Sequence, residues 1–400
     1  MDKSNNSFGQ PILNQIFKLI PLNIIESAAN KRKSDRYYKA IPVKKHLVCL
    51  LYGVFSHCHG LRELCEGLLG CEGKLNHLGM DKAVPKSTLS DANRDRSYLV
   101  FQDIYFALFQ KYLDCISDSR LKGLSIKNLK IIDSTTIQLF TEILKGVGRN
   151  TKDGSRKKGG FKVHALMDAF SGVVEFSKIT AAKVNDRQFL LKLKLPPQSF
   201  IVMDKAYNVY SQFDRWTKEC IWFVTRMKSN AVYKVTKTLQ NHSNKKLRKG
   251  IIKEQLIYVM YKLKGIDTKV FLRRIEFKDE TGREYVFITN EMKQKADKIA
   301  LIYKYRWMIE LLFKQMKQNF PLKYFWGENT NAIKSQVYSV LIAQLLMVVL
   351  RKKSETKKSF ANIIAVVRLH LMSYVDLFAF IKDTYAAWRK NRNTPNLFSG

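Results

Sequence analysis

Two short runs of apolar, largely β-branched residues each carry one aspartate where the pattern leads one to expect another apolar side chain. The first is Lys130-Ile131-Ile132-Asp133-Ser134-Thr135-Thr136-Ile137 and the second is Ser199-Phe200-Ile201-Val202-Met203-Asp204-Lys205-Ala206-Tyr207. Runs of this length and composition read as buried strands. Carboxylates are disfavoured in strands. A lone acid at such a place is commonly a turn former or a helix cap. Two of the same design constrain the fold further, to a buried sheet with acids at the centre or end of its strands.

A third acid sits in Ile302–Lys317, a segment without Gly or Pro that is long enough for a helix. At about 100° per residue, Tyr303, Arg306, Glu310 and Lys317 fall within roughly 60° of one another around the axis. Met308, Ile309, Leu311, Leu312 and Phe313 cover most of the remaining circumference, which predicts a buried helix. Buried charge must be paired, bound to metal or used. An i,i+4 pair between Arg306 and Glu310 on a solvated face accounts for two of the four groups. It leaves their shared stripe unexplained. Three carboxylates converging on one point repel one another unless divalent cations sit among them, and hard oxygen ligands suit Mg²⁺ or Mn²⁺. Two such ions can activate water and stabilise a leaving oxygen in phosphoryl transfer.

Composition points to a polyanionic partner. The 400 residues hold 70 Lys and Arg against 34 Asp and Glu, a formal net charge of +36. The basic residues are spread along the chain, which suits an extended nucleic-acid footprint. With 46% hydrophobic and 12% aromatic residues the chain can build cores, so a disordered basic protein is excluded. The length suits two or three domains. The start, Met1 to Asn6, is polar and does not read as a secretory signal. The longest apolar run, Val337–Leu350, is short for a membrane span and contains Gln344, so it reads as a core helix. The expected location is cytoplasmic and nucleoid-associated, with no membrane partner. Cys58, Cys65, Cys71 and His77 lie close together without zinc-finger spacing, so neither a zinc site nor a disulfide is expected.

Asp133, Asp204 and Glu310 resemble the triad of DDE transposases, which use a ribonuclease-H-like catalytic core. The spacing Tyr-x2-Arg-x3-Glu-x6-Lys from Tyr303 to Lys317 resembles the signature of one insertion-sequence group, and Asp204-x-x-Tyr207 its second-Asp motif. Residues from about Phe8 to Phe109 are similar to the helical N-terminal domain of one subgroup, with landmarks at Asp35–Tyr38, Leu61–Leu64 and Ser87–Asn93. Lys158–His164 also looks familial.

The fold expected is α/β: a ribonuclease-H-like mixed sheet flanked by helices, with an inserted β-rich subdomain and a helical N-terminal domain. Residues 1–120 read as the helical, DNA-binding part. Within it, the turn and short helix around Lys86–Arg96 read either as a recognition helix, with Ser87 and Arg94 on DNA, or as an ordinary surface helix. Residues 121–228 carry the first part of the catalytic core, with strands near Phe161–Met167 and Val173–Ile179 and a helix at Asp186–Lys194. The interval between Asp204 and Glu310 exceeds what one strand and one helix need. Its β-rich pieces, Gln255–Leu263, Lys269–Phe277 and Glu284–Thr289, form the expected insertion at 229–290. Residues 291–350 complete the core, and 351–400 form a C-terminal helical region. The basic loop Lys145–Gly160 places Arg156, Lys157 and Lys158, with Lys162 beyond it, as candidate phosphate contacts; Gly148, Arg149 and Lys152 belong to the same loop. His164 reads as a core residue.

The resemblance implies an enzyme that cleaves the ends of an insertion sequence and transfers the freed strand into target DNA. It implies two Mg²⁺ or Mn²⁺ ions at the triad and a homodimer that pairs two terminal inverted repeats. Tyr303, Arg306 and Lys317 would hold the 5′ phosphate and a distorted opposing strand, through a hairpin. Two other readings stay open: a non-catalytic DNA-binding regulator, and a ribonuclease-H-like nuclease that cuts without joining.

Overall fold

Phe200-Ile201-Val202-Met203 is buried at every position, the pattern of a strand covered on both faces in a parallel part of a sheet. The structure, a computed structural model, describes residues 9–116, 126, 128–138, 160–182, 184–191, 193–241 and 250–385. These divide into two units, one drawn from residues 1–116, 137–159 and 314–400 and the other from 117–136 and 160–313.

The second unit is built on a mixed sheet whose described strands are β1 (Leu129–Gln138), β2 (Gly160–Asp168), β3 (Val173–Ala181), β4 (Phe200–Met203), β5 (Trp222–Arg226), β6 (Lys234–Asn241), β7 (Ile251–Leu263), β8 (Ile266–Lys278) and β9 (Glu284–Thr289). Their order is β3-β2-β1-β4-β5-β9-β8-β7-β6. The expected mixed α/β sheet with flanking helices is present. β1, β4 and β5 run parallel, and the helix Tyr210–Lys218 provides the crossover from β4 to β5. Phe213 and Trp216 of that helix are fully buried against the sheet, in one apolar cluster with Ile132, Ile201, Phe223 and Ile288.

Register sets the height of the polar residues that follow these strands. Ile132 pairs with Met203, and Met203 pairs with Thr225. The next residues along, Asp133, Asp204 and Arg226, therefore stand at one level, where the parallel pairing of β1, β4 and β5 ends.

The β-rich segment extends this same sheet. β9 pairs antiparallel with β5, and Ile257, Val259, Val270 and Leu272 share the apolar cluster of Phe213 and Trp216. β7 and β8 start earlier than their sequence pattern suggests because they form one long hairpin. Leu263 pairs with Ile266 across Lys264 (φ 50°) and Gly265 (φ 86°), a two-residue turn of the twisted type that favours glycine.

The helix read as one piece from Ile302 to Lys317 is two, Ala296–Lys304 and Trp307–Asn319. At the junction the N–H groups of Tyr305, Arg306 and Met308 bond to carbonyls three residues back. This is a tightened turn that interrupts the regular ladder. The second helix is also less buried than expected. Ile309, Leu312 and Phe313 face the interior, while Trp307 and Leu311 are each 57% exposed.

The other unit is helical. The helix Val43–Ser56 is buried along most of its length and packs on Leu61–Leu69 and on the long helix Thr330–Lys353, which also lies against Leu99–Ile116. Thr330–Lys353 is long and apolar enough to cross a membrane, but 89% of its most apolar window is buried inside the protein. Two landmarks of the N-terminal sequence have internal partners. Asp35 accepts from the Val43 N–H at 2.7 Å and pairs with the buried Arg96, and Asn93 bonds to the buried His46 at 2.8 Å. The C-terminal region includes helices Phe360–Leu369 and Leu377–Lys382.

Candidate active site

The strand ends open onto a cleft of about 960 Å³ lined by Asp133, Asp204 and Glu310 together with Asp186, Arg226, Tyr303 and Arg306. Asp133 arrives on β1. Its Oδ1 accepts the Ser134 N–H at 2.8 Å, and its side chain is 18% exposed. Burial pushes its carboxyl up to about 6, against the Ser134 N–H and the Arg306 charge, which favour the ionised form; nearby Glu310 and Asp204 add to the rise. Asp204 caps the short turn Lys205–Tyr207, taking the Ala206 N–H at 3.0 Å on Oδ1. Burial works to raise its carboxyl too. The hydrogen bonds from Arg226 and Ala206, with the charges of Arg226 and Arg306, outweigh that and hold it below the usual range. Glu310 arrives on the helix Trp307–Asn319.

Two guanidiniums run through this group of acids. Arg226 Nη2 donates to Asp204 Oδ2 at 2.7 Å. Arg306 Nη1 donates to Glu310 Oε1 at 2.6 Å and lies 3.9 Å from Asp133 Oδ2. Arg306 is nearly enclosed, its side chain 7% exposed, with the rings of Tyr303 and Trp307 at 5.6 and 5.2 Å. Tyr303 is buried and packs on Phe287 of β9 at 4.8 Å between ring centres.

Asp186 and Arg226 were not foreseen. Asp186 opens the helix Asp186–Leu191, accepts the Ser134 hydroxyl at 2.8 Å and pairs with Lys162 at 3.2 Å. Lys162 therefore has an internal carboxylate partner, and its side chain is 14% exposed. His164 is fully buried, bonds to Thr180 through Nε2 at 2.9 Å, and is pushed by burial down to about 4. Tyr207 belongs to the apolar core.

The other candidates fall elsewhere. Lys317 is exposed about two turns beyond Glu310 on the same helix and is not among the residues lining the cleft. Ser87 and Arg94 lie exposed on the helix Lys86–Asp95 of the helical unit. Arg94 is paired there with Asp91 at 3.0 Å and Asp95 at 2.8 Å, which offsets its charge. Arg156, Lys157 and Lys158 lie outside the described residues, as does the rest of that loop up to 159.

The donor chemistry fits a hard divalent ion, since the three sequence-derived candidates supply only carboxylate oxygens. Among the described residues, no three His, Cys, Asp or Glu side chains are drawn together around one ion position. Arg226 and Arg306 occupy oxygens of these carboxylates instead.

Acids delivered to one cleft by two parallel strands and a following helix fit the arrangement that the sequence motifs implied. Residues 125–346 match the model of the transposase DDE domain family, and residues 8–81 match that of a domain of unknown function. The chain belongs to the DDE transposase family and is an enzyme of the insertion-sequence type. Its relatives with transposase names include the following three. One from Sinorhizobium fredii is 33% identical over 65% of this chain and 69% of its own length. One from Geobacillus stearothermophilus, named for insertion sequence element IS5377, is 26% identical over 65% and 66%. One from Synechocystis, named for IS4SA, is 24% identical over 77% and 81%.

Proposed function

We propose that this transposase cuts DNA at the ends of its insertion sequence and joins the freed strand to target DNA, with Asp133, Asp204 and Glu310 as its catalytic carboxylates. The observation that carries the reading is the convergence of these acids on one cleft that also contains Arg226 and Arg306. The substrate is double-stranded DNA. The +36 net charge supports a polyanion, and Lys205, Lys228, Arg274 and Arg283 line the same cleft.

In the first step water attacks a phosphodiester at the element end. The bond from phosphorus to the 3′ oxygen breaks, that oxygen takes up a proton and leaves as a 3′-OH, and the phosphate stays on the other fragment. In the second step the 3′-OH gives up its proton as it attacks a target phosphodiester, expelling a target 3′ oxygen. Neither step needs a covalent bond to the enzyme, so no nucleophilic Ser or Tyr is required. Mg²⁺ or Mn²⁺, held as two ions by Asp133, Asp204 and Glu310, would supply water activation and charge neutralisation at the leaving oxygen. The protein orients the backbone. Arg306 is shaped for a two-pronged phosphate grip, and Lys317 supplies a point charge to the same strand. Tyr303 forms the cleft wall beside Arg306. With these three residues on the 5′ phosphate and the opposing strand, the cut passes through a hairpin: between the two steps the 3′-OH attacks the opposing strand's phosphodiester and expels its 3′ oxygen, and a second water then opens the hairpin and returns the 3′-OH. A homodimer pairs two ends.

A labelled element-end duplex, incubated with Mg²⁺ or Mn²⁺, tests the reading. Wild type is expected to nick at the end and then join. Glu310→Gln is expected to bind the duplex but lose cleavage, on the order of 10³-fold or more. Cleavage that survives in Glu310→Gln removes that residue from the catalytic set. Cutting with no joined product would leave a nuclease.

A further inference from the structure

The parallel register puts a cation in line with the acids. Asp133, Asp204 and Arg226 each come one residue after the last parallel pairs that join β1, β4 and β5, Ile132 with Met203 and Met203 with Thr225. Arg226 Nη2 sits 2.7 Å from Asp204 Oδ2, and Arg306 Nη1 sits 2.6 Å from Glu310 Oε1. A guanidinium keeps its charge at any working pH, so it cannot yield its place by losing a proton. A divalent ion on the same oxygens would meet a fixed positive charge at contact distance, and the two would repel. A partly buried guanidinium stripped of its carboxylate also needs another anion. Within the function proposed above, the anion available in this cleft is a DNA backbone phosphate, which matches the guanidinium fork.

We infer that Arg226 is a positioning residue that holds Asp204 in the DNA-free protein and releases it when a backbone phosphate takes the guanidinium, so that divalent-ion binding is coupled to DNA binding. Arg306 holds Glu310 in the same way but is almost fully enclosed between two rings. Arg226 is one-third exposed at a strand end and is the more open of the two. By linkage the coupling is reciprocal: DNA raises ion affinity by the factor by which the ion raises DNA affinity. The inference rests on the three acids being the ion ligands.

The test is Mn²⁺ binding by full-length protein, followed by the electron-spin signal of free Mn²⁺, with and without an element-end duplex. Wild type is expected to bind Mn²⁺ at least several-fold more tightly with the duplex present. Arg226→Ala is expected to bind Mn²⁺ about tenfold more tightly than wild type without DNA, and to gain little more from the duplex. Arg226→Lys, which keeps a charge without the fork, is expected to fall between them. Circular dichroism melts of each variant establish that the comparison is between folded proteins, and wild type alone must show the duplex effect. Equal Mn²⁺ affinity in wild type and Arg226→Ala, or a wild-type affinity that ignores the duplex, overturns the lock. Asp204→Ala separates the two ideas. If it binds Mn²⁺ less well than wild type while Arg226→Ala gains nothing, the triad stands and the lock fails. If Asp204→Ala binds as wild type does, the triad assignment fails and the inference falls with it.

Discussion

Asp133 offers a quantitative test of how the cleft is built, because its carboxyl is raised from the ordinary 3.8 to about 6. Burial is the first cause, so the ionised form is the one the fold disfavours. The gap corresponds to roughly 3 kcal/mol at 1.36 kcal/mol per pH unit. The sign follows from proton counting. Between 3.8 and about 6 the folded state keeps the proton that the unfolded state has lost, so stability falls as pH rises through that window. Below it both states are protonated and no penalty is felt. Above it both are ionised and the penalty is complete. Asp133→Asn carries no charge but keeps a carbonyl oxygen for the Ser134 N–H. In metal-free, DNA-free protein the variant is expected to be more stable than wild type at pH 8, by about 1–3 kcal/mol, the attraction to Arg306 being already contained in the rise to about 6. At pH 4 the difference should have shrunk to about 0.5 kcal/mol. Melting curves from pH 4 to pH 8 measure it, at about 2–4 °C per kcal/mol for a unit of this size. A variant that is less stable than wild type at pH 8, or a difference that does not change with pH, would refute the argument that burial dominates at Asp133.

Three further substitutions probe the scaffold. Arg273 is buried with Glu254 at 2.8 Å and also donates to the Glu291 carbonyl; Arg273→Ala strands that carboxylate and is expected to cost about 3–5 kcal/mol in denaturant unfolding. Gly53 lies where an added methyl group would meet the Trp326 ring at 2.7 Å; Gly53→Ala is expected to destabilise the helical unit by about 1–3 kcal/mol through overpacking, seen as a lower melting temperature. Lys162→Met removes the cation on Asp186; duplex binding is expected to change by less than about twofold if that lysine serves Asp186, and a large loss with a shallower salt dependence would return it to the DNA surface.

The acids could be read from the sequence because each interrupts a run that chemistry would otherwise keep apolar. The same logic found β2, β3 and β9, whose apolar patterns are local. Arg226 closes the apolar run Trp222-Phe223-Val224-Thr225 in just this way, but arginine at a strand end is common and shows no partner until β4 and β5 are aligned. Its role depends on the register of Met203 with Thr225, which is a long-range fact. Asp186 was hidden for a similar reason, since an acid opening a helix is ordinary. β6 escaped because Val235 and Leu239 are 46% and 41% exposed, so no apolar face marks it. The break at Tyr305–Arg306 has no Gly or Pro to signal it. The helical stripe that first brought Tyr303, Arg306, Glu310 and Lys317 together assumed one unbroken helix. In the structure Tyr303, Arg306 and Glu310 still line the cleft, from both sides of the break, and Lys317 does not.

That break also bears on why a protein with so large a positive charge gathers acids in one place. The net charge attracts a polyanion at long range, while the carboxylates would repel its phosphates at contact. Guanidiniums set among the acids soften the conflict. They pair the carboxylates when no DNA is present, and their forks match the phosphates that replace those carboxylates as partners. Arg306 reaches Glu310 from the tightened turn one residue before the second helix, at i,i+4 to its partner. Arg226 reaches Asp204 from the neighbouring strand. One cation is thus tied by local sequence and the other by sheet register. A substitution that shifts β5 by one residue would disconnect Arg226 from Asp204 and leave the Arg306–Glu310 pair in place.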